Sequence, residues 1–282
     1  GEGYKILDEH LNSEKYAIGF KKGNTELCDK VNEGLQQVLA DGTFDKLAEK
    51  YGIADMVCLE KKGEESSMKL SIILSQLSTG MAGTISIFVL TLVFSLPLGL
   101  LIAFGRMSKH RIVSGIFRLY ISLMRGTPLM LQLMVVYFGP FYLFGMNIGK
   151  WRFPAIITGF ALNYGAYFAE IYRSGIVSMD RGQYEAAKLL GYSKGQTFVR
   201  IILPQVVKRI LPAITNEVIT LVKDTSLAFS ISYVEMFTIA KQIAAAKTTM
   251  VPFVAAGIFY YIFNFVVAWV MELLEKKFSY YH

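Results

Sequence analysis

Two ionisable side chains stand inside long apolar stretches of this 282-residue chain, where a buried charge is costly. Arg125 precedes Gly126 and Pro128, two residues that can open a helix and free backbone groups to meet a solute. Glu217 lies near the middle of a second, less apolar stretch. A guanidinium suits a carboxylate and a carboxylate suits an ammonium, so the two residues together would fit a zwitterion. The alternative is that Arg125 and Glu217 neutralise each other as a structural pair.

Further polar side chains extend this candidate solute pathway. Asn163, Tyr167, Glu170 and Ser174 recur at i, i+4, i+7 and i+11, a spacing that places them on one face of a helix. Glu170 also has a simpler interpretation, because Arg173 follows it three residues later and the two can form an ordinary ion pair. The other candidates lie beside the first two ionisable groups, and they are Thr127, Lys223, Asp224, Thr225 and Ser226.

The apolar stretches that carry these residues have the length of membrane-spanning helices. The chain is 53% hydrophobic and only 18% charged. Crossing a hydrocarbon core takes roughly 20 apolar residues in a helix, whereas the strands of a barrel would show shorter, alternating segments. The stretches without any Asp, Glu, Lys or Arg are 70–105, 126–149, 153–169 and 248–271, and a weaker span that contains Glu217 runs over 206–221. The sequence therefore predicts an all-α membrane protein with five transmembrane helices.

Charge divides the chain into two parts and predicts its orientation. Residues 1–67 hold nine Lys or Arg and fourteen Asp or Glu, whereas residues 68–282 hold twenty Lys or Arg and eight Asp or Glu. Cytoplasmic loops carry the excess of cations, and here the cations follow the first, third and fifth spans. We expect the N-terminus outside, the C-terminus in the cytoplasm, and a lipid bilayer rather than nucleic acid around the basic part.

Cofactor chemistry has little support in the sequence. His10, His110 and His282 are scattered, so no metal site is expected. Cys28 and Cys58 both fall in the part expected outside, where they could form a disulfide or stay as two unpaired thiols. A phosphate-binding loop of the form G-x-x-x-x-G-K-[ST] does not occur, so this chain is not expected to hydrolyse nucleotides itself.

The acidic N-terminal part has its own pattern. Residues 16–20 alternate as a strand would, a basic turn follows, and a helix, a DGT turn and a second short helix come next. The run YAIGFKKGNTELCDKVNEGLQQVLADGTFDKLAEKYG resembles the C-terminal end of the bilobed solute-binding proteins that serve amino-acid ABC importers. The resemblance implies a small α/β fragment of such a domain at 1–60, with a charged, Ser-containing linker at 61–69 before the membrane domain at 70–282.

The most specific pattern lies in the long loop 175–204 between the third and fourth spans, where GQYEAAKLLGYSKGQTFVRIILPQ can form a short helix over 183–190 that Gly191 ends. The run resembles the EAA loop of ABC importer permeases. The matching residues are Gln183, Glu185, Ala186, Ala187, Gly191, Ile201, Leu203 and Pro204. The two alanines have small side chains, so another protein can approach this helix closely. In that family the helix docks on a separate subunit that binds ATP and Mg²⁺.

The resemblance extends to the polar amino-acid branch of these permeases through RGTPL, LNYGAYFAEIYRSGI and KDTSLAF. It implies a type I importer bundle in a bacterial cytoplasmic membrane, paired with a second, identical or similar permease subunit, that moves a polar amino acid by alternating access. One alternative is an ion-coupled secondary transporter that uses Glu170 or Glu217. An intramembrane enzyme is a weaker alternative, because no Ser/His or metal cluster lies within the spans.

Overall fold

The computed structural model describes residues 25–50 and 70–278. The chain divides near Leu70 into two compact units, each considered by itself. The predicted strand at 16–20, the predicted linker at 61–69 and Cys58 lie outside the described residues.

The first unit contains the helix, turn and second helix that the sequence predicts. Helix α1 spans Thr25–Ala40 and α2 spans Thr43–Lys50. Gly42 adopts a left-handed φ of 73°, and the carboxylate of Asp41 accepts a hydrogen bond of 2.8 Å from the Thr43 backbone N–H. Hydrogen bonds from Thr43 hold the pKa of Asp41 below its ordinary value, as expected for an acid next to a helix start.

The described residues of the second unit are helical almost throughout. Its elements in chain order are α3 (Leu70–Arg106), α4 (Arg111–Gly126), α5 (Leu129–Phe144), α6 (Arg152–Val177), α7 (Arg181–Leu189), α8 (Lys194–Thr197), a π-helical turn (Phe198–Ile202), α9 (Leu203–Asp224), a 3₁₀ helix (Thr225–Ile231), α10 (Met236–Lys247) and α11 (Val251–Lys277). Each predicted span overlaps one of these helices over most of its length.

Two helices, α3 and α11, are long and apolar enough to cross a membrane alone. Helices α4 and α5 taken together are also long and apolar enough to cross a membrane, although the chain bends by 111° between them. Helices α6 and α9 cover the third and fourth predicted spans, but both carry several charges, among them Glu170 and Glu217. Composition and length therefore support between two and three spans in the described residues, and the count of five stays a prediction.

The bend between α4 and α5 corrects the position expected for Arg125. This residue lies in the last turn of α4 with its side chain exposed, and not well inside the second span. Thr127 is extended, with φ −120° and ψ 149°, because a residue that precedes proline avoids the helical region. Pro128 then precedes the first residue of α5. The charge-free stretch 126–149 is thus not one continuous helix.

Two helices of more than ten residues, α4 and α10, were not predicted. The cations after the first span lie partly on α4, which was expected to be an inner loop, and α10 lies where an outer loop was expected. Arg111, Arg118 and Arg125 recur every seven residues, a helical spacing that could have revealed α4.

Helix α6 lies at the centre of the core and packs against α4, α5 and α9. Its buried aromatic residues Phe160, Tyr164 and Phe168 belong to one apolar cluster that also includes side chains from α3, α9 and α11. Glycines allow the helices to approach closely. A Cβ on Gly99 of α3 would lie 2.8 Å from the Phe168 Cβ, and one on Gly159 would lie 2.8 Å from Leu133 Cδ2.

This packing predicts a loss of stability when Gly99 is replaced by alanine. The added methyl group would overlap α6, and overpacking of this kind costs about 1–3 kcal/mol. We expect the melting temperature of the purified protein in detergent to fall by about 3–10 °C. Gly115→Ala in α4 is the matched control, because nothing lies within 4 Å of its Cβ position. Equal melting temperatures for the two variants would contradict the close contact between α3 and α6.

Candidate functional site

A cluster of polar side chains forms hydrogen bonds across the break between α4 and α5. Asn163 Nδ2 donates to the Met124 carbonyl at 3.0 Å and to Gln132 Oε1 at 2.9 Å. Gln132 Nε2 donates in turn to the Met124 carbonyl at 2.9 Å and to Thr127 Oγ1 at 2.8 Å. Backbone groups freed by a broken helix need such partners in lipid. Asn163, a predicted pathway residue, therefore helps to hold the break in place.

Gln132 was missed by the sequence analysis. It is uncharged, and its partners Met124, Thr127 and Asn163 lie on both sides of the break and on another helix. A glutamine three residues into an apolar helix, soon after a proline, is the signal that could have identified it.

Arg125 and Glu217 lie near each other but do not form a direct ion pair. The Arg125 guanidinium stacks over the Tyr167 ring at 5.1 Å, a cation–π contact. Glu217 is half-buried on α9, within electrostatic range of Arg125 and of Asp224. Among residues 25–50 and 70–278, no ion pair within 4.0 Å joins Arg125 to Glu217. Both side chains therefore keep hydrogen-bonding capacity for another molecule.

Asp224, at the end of α9, completes the cluster of charges. Its carboxylate accepts a hydrogen bond of 2.7 Å from the hydroxyl of Tyr164, which is almost fully buried. Tyr164 also packs beside Tyr167, with ring centroids 6.3 Å apart. Asp224 follows Glu217 by seven residues and shares its helix face. The arrangement combines one guanidinium with two carboxylates, so it would favour a solute that carries an ammonium group.

The remaining predicted pathway residues make local contacts. Thr225 is fully buried, and its hydroxyl donates to the Val222 carbonyl at 2.7 Å. The Ser226 hydroxyl donates to the carbonyl of Lys223, whose side chain is exposed. Glu170 forms the ordinary ion pair with Arg173 that was the alternative to a pathway role. Ser174 is exposed, and its hydroxyl bonds the Ile171 carbonyl.

The loop 175–204 contains the short helix that the sequence predicts, here α7. Asp180 caps its start, accepting a hydrogen bond of 2.8 Å from the Gly182 N–H. Gly191 follows its end with a left-handed φ of 80°, which a glycine adopts without strain. The Tyr192 N–H then returns to the Ala187 carbonyl at 3.0 Å. The helix thus ends within two residues of the predicted position.

The two alanines of α7 differ in exposure. Ala186 is exposed, whereas Ala187 is buried. Only Ala186 therefore provides the small side chain on the outer surface that was expected from both alanines. Glu185 is exposed beside it. The apolar surface of this loop comes from Leu189 and Leu190, which are 88% and 75% exposed. Two exposed leucines at the end of a short helix are typical of a surface that another protein covers.

The start of α9 is tied to α7. Pro204 occupies the first turn of α9, where a missing N–H costs nothing, and Leu203 is the first residue of that helix. Gln183 and Gln205 exchange two amide hydrogen bonds of 2.9 and 3.0 Å. Gln205 was not identified from the sequence, because its partner lies 22 residues away. A movement of α7 would be passed directly to α9 through this pair.

Comparisons with known proteins identify relatives over most of the chain. The family model described as "Binding-protein-dependent transport system inner membrane component" matches residues 95–280. The L-cystine transport system permease protein TcyB of Bacillus subtilis (strain 168) is 38% identical over 208 residues, which are 73% of this chain and 87% of TcyB. The arginine transport system permease protein ArtQ of the same organism is 38% identical over 199 residues, or 70% of this chain and 90% of ArtQ.

Solved structures give the same result. A chain from the crystal structure of an amino acid ABC transporter with histidines is 31% identical and has a TM-score of 0.66. The match covers 72% of this chain and 94% of that one. A chain of the inward-facing MetNI methionine ABC transporter matches at a TM-score of 0.58 with 15% identity, which supports the fold alone.

Proposed function

The chain belongs to the family of binding-protein-dependent transport system inner membrane components, and on that premise we propose that it imports a polar amino acid. It is the permease subunit of an ATP-driven importer and not an enzyme, and a separate subunit hydrolyses ATP. The relatives named for L-cystine and arginine support an amino-acid substrate. The mixed charge of Arg125, Glu217 and Asp224 supports a zwitterionic or cationic one.

The observation that carries the proposal is the surface around α7. Helix α7, the left-handed Gly191 and the exposed Leu189 and Leu190 together form a small surface, which we call the docking face. We propose that an ATP-binding subunit carrying Mg²⁺ seats on this face, and that Gln183, Glu185 and Ala186 contact it. When ATP closes that subunit, α7 moves, and the Gln183–Gln205 pair passes the movement to α9.

Alternating access requires a second permease half. We propose that this chain pairs with an identical or similar copy, and that the pathway residues described above face the solute between the two halves. These residues are Arg125, Thr127, Tyr167, Glu217, Lys223, Asp224 and Ser226. Of the other predicted residues, Asn163 and Thr225 are buried within the subunit and Glu170 is paired with Arg173. Arg125 and Glu217 would bind the carboxylate and the ammonium of the amino acid.

We further propose five spans in a bacterial cytoplasmic membrane, with the N-terminus outside and the C-terminus in the cytoplasm. Helices α6 and α9 contain 26 and 22 residues, enough to reach about 39 and 33 Å. Their charges are tolerable where they face a solute pathway or lie near the membrane surface. The basic loop that contains α7 supports its placement in the cytoplasm.

The N-terminal unit is proposed to be the C-terminal portion of an extracellular solute-binding domain. The turn at Asp41–Thr43 between two short helices supports this assignment. A binding domain joined to the membrane domain through residues 61–69 would raise the local concentration of solute at the entrance of the bundle.

The test of this function is solute-stimulated ATP hydrolysis and uptake. The permease would be reconstituted in proteoliposomes with its ATP-hydrolysing subunit and supplied with a panel that includes arginine, glutamine and cystine. We expect at least one amino acid to stimulate ATP hydrolysis, and to enter only with ATP present. Uptake driven by a Na⁺ or H⁺ gradient without the second subunit would instead support a secondary transporter.

A further inference from the structure

A carboxylate that is not part of the proposed pathway is completely buried in the second unit. Glu235 precedes α10 and is 0% exposed. Among the described residues no Lys, Arg or His lies within 4.0 Å of it in an ion pair. A buried carboxylate without a cation is costly unless hydrogen bonds replace the water it has lost. The contacts of Glu235 therefore indicate what the residue does.

Part of this compensation is local. Glu235 Oε2 accepts a hydrogen bond of 2.7 Å from the Phe237 N–H, and Oε1 accepts one of 2.8 Å from the Thr238 N–H. The Thr238 hydroxyl adds a third, at 2.9 Å. These bonds cap the first turn of α10, a role that a shorter residue such as aspartate fills equally well. The cap alone does not explain the length of the glutamate side chain.

The other contacts join Glu235 to two distant helices. The Tyr260 hydroxyl of α11 donates to Oε2 at 3.1 Å, and the Thr84 hydroxyl of α3 lies 3.5 Å from the same oxygen. The Thr84 hydroxyl also accepts from the Met236 N–H at 3.4 Å. Next to it, a Cβ on Gly80 would lie 2.8 Å from the Met236 Cα, so α3 touches the backbone of α10. One carboxylate thus connects α3, α10 and α11.

Tyr260 connects this group to the end of α9. Its hydroxyl donates to Glu235 at 3.1 Å, and Thr225 and Thr84 lie close enough to interact with it electrostatically. Thr225 begins the 3₁₀ helix Thr225–Ile231, and Glu235 lies four residues beyond its end. The phenol therefore binds Glu235 beyond the end of the segment that follows α9, and it lies near Thr225 at the start of that segment. We call Thr84, Thr225, Glu235 and Tyr260 the polar clamp.

The polar clamp and the docking face lie at opposite ends of helix α9. Helix α9 begins beside α7, where Gln205 is paired with Gln183, and ends at Asp224. Its 22 residues span about 33 Å. Movement of α9 at the end beside α7 is transmitted fully to the pathway residues Glu217 and Asp224 only if the other end of the helix is held in place. Without that hold, part of the movement would be lost in the 3₁₀ segment.

We propose that Glu235 and Tyr260 are positioning residues that anchor the far end of α9 to α3 and α11, so that movement of the coupling loop opens and closes the solute pathway. The inference rests on the proposed import function. It assigns Glu235 and Tyr260 a role in coupling ATP hydrolysis to transport, without contact to the solute or to ATP.

The decisive quantity is the number of amino-acid molecules imported per ATP hydrolysed by the permease with its ATP-hydrolysing subunit in proteoliposomes. The ratio is measured on the co-purified complex, so that differences in the amount of folded permease cancel and unassembled ATP-hydrolysing subunit does not contribute. Tyr260→Phe keeps the ring and removes the hydroxyl, and we expect it to lower the ratio about threefold to tenfold, the effect of losing one or two buried hydrogen bonds. ATP hydrolysis itself should continue at about the normal rate. Tyr261→Phe is the matched control, because Tyr261 is 73% exposed, and it should leave the ratio unchanged.

Two further variants separate the clamp from the helix cap. Glu235→Asp keeps an acceptor for Phe237 and Thr238 but is too short to reach Tyr260, so it should lower the ratio as Tyr260→Phe does. Thr84→Val removes the contact from α3. If the other variants do not accumulate, the ratio measured for Thr84→Val still tests the role of the polar clamp. A normal ratio in Thr84→Val and in whichever other variants accumulate would overturn the proposal while import stands. If the unmodified protein imports no amino acid with ATP, the proposed function fails, and the clamp falls with it.

Discussion

Replacing Gly191 with arginine is expected to reduce ATP-driven uptake at least about tenfold, while the permease still accumulates in the membrane. The residue has a φ of 80°, and a left-handed backbone costs a residue with a side chain about 1–2 kcal/mol. Nothing in the described chain lies within 4 Å of its Cβ position. The arginine would therefore project outward from the docking face, into the space that we assign to the ATP-hydrolysing subunit.

Two measurements distinguish lost docking from lost folding. Co-purification of the ATP-hydrolysing subunit should fall together with uptake in Gly191→Arg, whereas the melting temperature of the permease should fall only by about 2–8 °C, the effect of the left-handed backbone, and remain that of a folded protein. Gly191→Asn is the matched control, because asparagine tolerates a left-handed backbone and adds little bulk, and it should retain most of the uptake. Normal uptake and normal co-purification of Gly191→Arg would remove the role that we assign to α7.

The short helix in the loop 175–204 and the long apolar helices could be predicted because their signals are local. Gly191 ends α7 through its own backbone freedom, and α3 follows its charge-free stretch to within one residue at its end. Helix α11 begins at Val251, with Pro252 in its first turn, and its last turn continues beyond the apolar stretch 248–271 to Lys276 and Lys277. Charge and periodicity determine such elements almost without reference to the rest of the fold.

The polar contacts that fix the bundle could not be predicted, since their partners are far apart in sequence. Gln205 pairs with Gln183, and Glu235 meets Tyr260 25 residues later and Thr84 151 residues earlier. Neither glutamine is charged, and Glu235 resembles an ordinary loop residue in the sequence. Its one local signal is the position directly before a helix, with a threonine three residues on. The burial that makes it informative exists only in the folded chain.

The contacts among the predicted pathway residues could be foreseen only in part. Asn163 and Tyr167 do lie beside the break and beside Arg125, as residues on one helix face should. The same spacing also selected Glu170, which pairs with Arg173 and lies within electrostatic range of Arg125, and Ser174, whose hydroxyl bonds the Ile171 carbonyl. Periodicity identifies a face of a helix, but whether a polar side chain on that face is already satisfied depends on the turn around it.

Replacing Glu217 with glutamine is expected to change which amino acids enter. The half-buried carboxylate lies near Arg125 and Asp224 and makes no direct ion pair within the described chain, so it can attract the ammonium or cationic side chain of a solute. A hydrogen bond to a charged group contributes about 1.5–3 kcal/mol. We therefore expect the uptake of arginine relative to glutamate to fall by about tenfold or more.

Competition between radiolabelled arginine and unlabelled amino acids in proteoliposomes would measure this change. The uptake of glutamate relative to arginine should rise in Glu217→Gln, because one of the two pathway carboxylates has lost its charge. Glu272→Gln is the matched control, since Glu272 is an exposed acid on α11 that pairs with Lys276 and lies on a different helix from the pathway residue. An identical selectivity profile for Glu217→Gln, Glu272→Gln and the unmodified protein would show that Glu217 serves the packing of α9 and does not read the solute.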